Sequence, residues 1–200
     1  MLTAALQSLG QRVRRFLGAP NDGASAGETL PSAAVARQLY REIVAQARSP
    51  IFYEAYAVPD TPDGRFDMIA LHAALLMHRL RGDTSVPPAV AQAVFDHMFA
   101  EFDESLREMG VGDLRVGKVV KGMARAFYGR LGSYGTCLDQ SDQAGLGEAL
   151  RRNVYRHGVA DERVIGALAD YVIGEAARLK TRDGARLLAE GPNFQPPALP

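Results

Sequence analysis

Apolar residues return at helical spacing along most of the chain. In residues 2–17, Leu2, Leu6, Leu9, Val13 and Phe16 alternate steps of four and three, which puts them on one face of a helix. Residues 18–31 break the pattern with Gly18, Pro20, Gly23, Gly27 and Pro31, the composition of a flexible linker. The pattern resumes with Val35, Leu39, Ile43 and Ala47 on a helix predicted from an N-cap at Ser32 to about Arg48. Pro50 should end it. An aromatic patch of Phe52, Tyr53 and Tyr56 follows, then a loop with Pro59, Pro62 and Gly64.

The next helix is predicted from about Arg65 to Leu80, with Phe66, Ile69, Leu76 and Leu80 at helical spacing and Gly82 as its stop. Pro87 and Pro88 suit the first turn of a helix reaching about Met109. Its apolar side carries Val94, Phe95, Met98, Phe102, Leu106 and Met109, and Gly110 closes it. Further helices are predicted at about Asp113–Tyr134, with Asp113 as N-cap, at about Ser141–Arg156 and at Asp161–Lys180. After Gly191, four prolines predict irregular chain. No stretch alternates with period two between hairpin turns, so little or no sheet is expected. The expected fold class is all-α. A single compact multi-helix domain, residues 32–182, is preceded by a separate amphipathic helix (1–17) and a linker (18–31), and followed by a C-terminal tail (183–200).

Composition narrows the function. Lysines plus arginines equal aspartates plus glutamates, 23 of each, so no global charge draws the chain to nucleic acid. Cys137 is the single cysteine and can form no internal disulfide, which fits a reducing compartment. The longest near-apolar run, Met68 to Met77 with His72 inside it, is about half of the roughly 20 residues that span a bilayer. The expected location is the cytoplasm.

Catalytic and metal chemistry finds little support. Among His72, His78, His97 and His157, no pair has the i, i+4 spacing of a helical zinc site, and no CxxCH is present. Ser133 and Ser141 lack a nucleophile motif. The glycines around 110–112 and 129–135 follow no predicted strand, so they read as helix ends rather than phosphate loops. No enzyme, metal or cofactor is expected.

Charge is nevertheless segregated over residues 93–134. Asp96, Glu101, Asp103, Glu104 and Glu108 accompany only Arg107, whereas the next helix carries Arg115, Lys118, Lys121, Arg125 and Arg130. Val116, Val120, Met123, Phe127, Leu131 and Tyr134 share that second helix's apolar face, opposite Arg115, Lys118, Lys121 and Arg125. Arg130 lies nearer the apolar edge, where pairing inside the fold is open to it. The cationic stripe reads either as an ordinary solvated face, paired in part with the acidic helix, or as a docking surface for a protein or an anionic membrane. Nucleic acid fits it less well.

These residues also carry a resemblance. Asp60-Thr61-Pro62-Asp63-Gly64-Arg65-Phe66, Leu71-His72, Arg79-Leu80 and Phe95-Asp96-His97-Met98-Phe99 resemble the ubiquinol–cytochrome c chaperone family. So do Leu106-Arg107-Glu108-Met109-Gly110-Val111-Gly112-Asp113, Val116-Gly117-Lys118, Lys121 and Phe127-Tyr128-Gly129-Arg130, in the same order over about Val35 to Leu179. The chain is similar to the bacterial branch, since no mitochondrial targeting extension is evident. The resemblance implies an all-helical, non-enzymatic assembly factor of the cytochrome bc1 complex. Its implied client is newly made cytochrome b, and it implies work beside a ribosome and a small partner protein.

A soluble helical chaperone can grip such a client through an apolar groove flanked by charge. The candidate partner-binding surface combines Phe52, Tyr53, Tyr56, Met109, Lys118, Lys121, Arg125, Tyr128 and Tyr134. A helical carrier or enzyme handling haem or quinone in a closed pocket near His72 or His97 remains the alternative, with a generic protein-binding adaptor as a third reading. The first segment, with Leu6, Leu9, Arg12, Val13, Arg14, Arg15 and Phe16, fits a basic helix lying on the cytoplasmic face of the inner membrane. Deleting residues 1–17 should therefore reduce cosedimentation with anionic liposomes, and equal binding with and without them refutes the membrane role.

Overall fold

A computed structural model of the chain describes residues 30–156 and 160–200. Through these run α1 (Leu30–Ala47), α2 (Pro50–Glu54), α3 (Pro62–Leu80), α4 (Pro88–Glu108), α5 (Asp113–Gln140), α6 (Gln143–Asn153), α7 (Glu162–Lys180) and α8 (Gly184–Glu190). No strand occurs among the described residues. The expected amphipathic helix at 2–17, with its membrane-facing residues, and most of the expected linker lie outside them.

Several boundaries depart from the sequence expectation for local reasons. Helix α1 begins at Leu30, so Ser32 lies within it rather than at its N-cap. Pro31 permits this, because the first turn needs no backbone N–H from it. The same property lets Pro50 both stop α1 and start the five-residue α2. Helix α3 starts three residues early, capped by Thr61, whose hydroxyl accepts the Gly64 N–H at 3.1 Å. Gly64 has no substitute here, since a Cβ would sit 1.9 Å from the Pro59 carbonyl oxygen. Asp113 occupies the first turn of α5, and Gly112 is its N-cap.

Helix α5 continues past Tyr134 to Gln140 despite Gly129, Gly132 and Gly135. Each interior glycine costs about 1 kcal/mol, but the buried Phe127, Leu131 and Tyr134 anchor the helix around them. Its longer run leaves a shorter α6, which starts on an Asp142 cap. Helix α8 was not legible as a separate element. It is capped by Asp183 and lies inside the segment expected as a tail. Residues 191–200 are irregular, as the prolines predict.

Helix α3 is the centre of the domain. Every residue from Phe66 to Met77 is buried, and α1, α5 and α7 pack around it. Helix α4 lies along α1 and α5, and α6 bridges α5 and α7. Phe95, Phe99, Phe102 and Phe127 form an edge-on and tilted ring cluster where α4 meets α5, extended by Phe66.

One carboxylate lies deep within α3. Asp67 is 1% exposed, and its two oxygens accept from Arg130 on α5 at 2.5 Å and from Arg156, beyond α6, at 2.6 Å. Arg156 also pairs with Asp63 at 3.3 Å. The Arg130 guanidinium lies 5.3 Å from the Phe66 ring centroid, so an aromatic face covers the side that water would otherwise solvate. Burial pushes the Asp67 carboxyl up, while Arg130 and Arg156 oppose that rise.

Asp67→Ala should lower stability by about 3–5 kcal/mol, because Arg130 would remain buried without its carboxylate. Asp63→Ala, on an exposed side chain, should cost below about 1 kcal/mol. Urea unfolding followed by circular dichroism measures both. Equal midpoints for the two variants would contradict the role given to Asp67.

Candidate protein-docking site

The expected partner surface divides when folded. Phe52 and Tyr134 are fully buried, and Tyr56 is 2% exposed. Tyr53 is half-buried and donates to the Ala47 carbonyl. Tyr128 is half-buried against Phe95 and Phe127. Periodicity alone could not separate these aromatics from surface anchors, because ring burial depends on which helices arrive to cover them. What remains outward is Met109 with Lys118 and Arg125, and in part Lys121.

Those outward residues lie at the end of α4 and along the first half of α5. Met109 caps α4 and is 57% exposed, and Leu114 in the first turn of α5 is 99% exposed. At about 100° per residue, Leu114, Lys118, Lys121 and Arg125 fall within about 60° of one another on α5. Arg115 flanks them. An apolar head, Met109 and Leu114, thus leads into a cationic stripe. Leu114 was missed because a single leucine between Asp113 and Arg115 reads as helix-start filler. Its signal was the i, i+4, i+7, i+11 spacing with Lys118, Lys121 and Arg125.

The stripe is not neutralised by the acidic helix beside it. Among the described residues, no carboxylate pairs with Arg115, Lys118, Lys121 or Arg125. Instead Arg107, the only arginine or lysine on α4, holds Asp103 at 2.7 Å and also bonds Asp113 at the start of α5. That pairing pins the α4–α5 turn and occupies the acid that opens α5. Arg130 takes the other course open to it and turns inward to Asp67.

The histidines occupy different settings. His72 is fully buried and contacts Phe52, Tyr171 and Phe194 edge-on or tilted. Its Nδ1 lies 2.8 Å from the Met68 carbonyl, so it must donate there, leaving Nε2 to accept from the Tyr171 hydroxyl at 2.9 Å. Gln46 donates to that hydroxyl in turn at 2.9 Å. Both ring nitrogens are thus engaged within the core. His97 lines an open groove of about 630 Å³ between α1 and α4, with Arg37, Arg41, Arg48 and Glu101. His78 pairs with Asp139 at 3.0 Å, and His157 lies outside the described residues. Burial pushes the Cys137 thiol up, with Asp142 adding to the effect. No group of three or more potential metal ligands occurs among the described residues, and none of their helices is long and apolar enough to cross a membrane.

The described domain is all-helical and turns outward a cationic stripe headed by apolar residues. The chain belongs to the ubiquinol-cytochrome C chaperone family, whose model matches residues 54–194. It is 24% identical over 140 residues to the ubiquinol-cytochrome-c reductase complex assembly factor 1 of Xenopus laevis, covering 70% of each chain. It is likewise 24% identical over 156 residues to the Mus musculus assembly factor of that name, covering 78% of this chain and about half, 52%, of the mouse protein. The crystal structure of the Cbp3 homolog from Brucella abortus superposes with a TM-score of 0.72 at 39% identity, covering 80% of this chain and 88% of that one.

The His72 environment makes stability depend on pH. Burial holds the imidazole down from 6.5 to about 4, so the unfolded chain binds a proton there that the folded chain excludes. Stability is full above about pH 6.5 and should fall by about 3 kcal/mol as pH drops towards 4. Urea midpoints of the protein and of His72→Gln, compared between pH 7 and pH 4.5, measure this. Parallel losses in the two would assign the pH dependence elsewhere.

Proposed function

We propose that this chain is a non-enzymatic assembly chaperone that binds newly made cytochrome b and holds it for incorporation into the cytochrome bc1 complex. Family membership supports the bc1 assembly role, and the unpaired stripe led by Leu114 carries the proposal for where the client binds. Cytochrome b is apolar in its membrane segments and polar in its loops. Met109 and Leu114 suit an apolar turn at the end of such a segment, while Lys118, Lys121 and Arg125 suit acidic loop residues. Exposed cations of this kind speed encounter and set register more than they add affinity. Residues 2–17 would keep the chaperone close to the membrane where the client emerges.

Reversing Lys118, Lys121 and Arg125 together to glutamate should leave the helical signal and urea midpoint unchanged, because these side chains make no ion pair among the described residues. Capture of cytochrome b should weaken at least about tenfold. Affinity purification from native membranes, quantified by mass spectrometry, measures capture. Normal capture by the triple variant, or photo-crosslinkers at 114, 118 and 125 that never label cytochrome b, would sink the surface assignment.

A further inference from the structure

Residues 191–200 run as an irregular strap over α1, α7 and the chain just beyond α2, and Asn193 turns through a left-handed φ of +47°. The domain holds it almost wholly through main-chain atoms. Gln46 donates to the Gln195 carbonyl at 2.7 Å, and Tyr56 donates to the Ala198 carbonyl at 2.7 Å. Arg178 donates to the Pro192 carbonyl at 3.0 Å. The carboxylates of Glu42 and Glu175 accept the N–H groups of Asn193 at 3.2 Å and Gln195 at 3.3 Å. Five side chains from three parts of the fold thus clasp both donors and acceptors of one irregular backbone. Such contacts read the main chain and leave side-chain identity largely open.

Only a few strap side chains contribute. Pro192 and Pro197 are buried, and Phe194 lies edge-on over the buried His72 at 5.1 Å. Asn193, Gln195, Pro196, Ala198 and Leu199 face outward. The strap enters through Gly191, whose φ of +78° disfavours any side chain, and a Cβ there would also push the Glu42 carboxylate, 1.8 Å away, off the Asn193 N–H. Beneath Phe194 lies the aromatic wall of Phe52, His72 and Tyr171. A glutamate pair, a glutamine, a tyrosine and an arginine aimed at one backbone exceed what is needed to cover that wall, since apolar contact alone would do so.

We infer that the strap is an internal ligand of a polypeptide-binding groove, and that the groove takes a non-helical segment of a partner protein, with an aromatic residue in the place of Phe194, when the strap lifts. This adds a second docking surface to the chaperone reading, and its test involves no cytochrome b, so either can fail alone.

The full chain carrying Phe194→Asp should release the strap and bind a labelled peptide with the sequence of residues 189–200. The unaltered chain should bind it at least about tenfold more weakly, because its tethered strap competes at millimolar effective concentration. Adding Gln46→Ala and Tyr56→Phe to the Phe194→Asp chain should weaken the peptide about tenfold. A peptide with aspartate in the place of Phe194 should not bind. In the unaltered chain, hydrogen exchange at the Asn193 and Gln195 amides should proceed by a local opening well below global unfolding. A well-folded Phe194→Asp chain that ignores the peptide overturns the inference. Exchange of those two amides only on global unfolding overturns it too, and decides the matter if Phe194→Asp does not fold. A dimer of the unaltered chain that Phe194→Asp dissolves would give the groove to a second copy instead.

Discussion

The Asp67 carboxylate, set between Arg130 and Arg156, fixes more than its own corner of the fold. Helix α3 is buried on almost every side, so a charge there must find its partners within the protein. Those partners come from α5 and from the chain beyond α6. The pairing therefore sets how α5 is rotated about its axis. Arg130 lies between about 120° and 180° around the helix from Leu114, Lys118, Lys121 and Arg125. Turning Arg130 in to Asp67 turns that stripe out. A single buried ion pair thus couples the core to the candidate docking face.

The family's signature residues take on physical roles in the same region. Thr61 caps α3, Gly64 lets it pass the Pro59 carbonyl, Arg65 pairs with Asp60 at 2.7 Å, and Phe66 lies beneath Arg130. Most of this motif builds the helix start that carries Asp67. The docking stripe draws instead on residues of α5, where Lys118 and Lys121 belong to the resemblance and Leu114 and Arg125 do not.

Much of the helix pattern was legible because long apolar periodicity survives tertiary contact. Leu39, Ile43 and Ala47, or Val116, Val120, Phe127 and Leu131, are buried as their spacing predicts. Caps were less legible: the expected cap Asp113 lies in the first turn of α5, and Asp161, expected as the first residue of its helix, caps α7 instead. Less legible were features set by long-range partners. Phe52, Tyr56 and Tyr134 look alike in sequence to surface anchors, and only the arrival of α3, α7 and the strap buries the first two. The glycines of α5 predicted a stop that packing overrode. The strap's proline content predicted irregular chain correctly, but irregular did not mean loose: its backbone bonds run to residues more than a hundred positions away, such as Gln46 and Tyr56.

The length of the stripe on α5 bears on the kind of partner it can hold. Leu114 and Arg125 lie eleven residue steps apart, about 16 Å of helix axis. The charged part, Lys118 to Arg125, covers about 10 Å of that, slightly more than the roughly 8 Å over which charges feel one another in physiological salt. Lys118 and Arg125 are therefore largely screened from each other, and one acidic side chain cannot satisfy both. A fitting partner must lay an apolar group and its carboxylates along a comparable length, in three helical turns or some five extended residues, so the footprint itself selects for a segment rather than for a single anchoring contact.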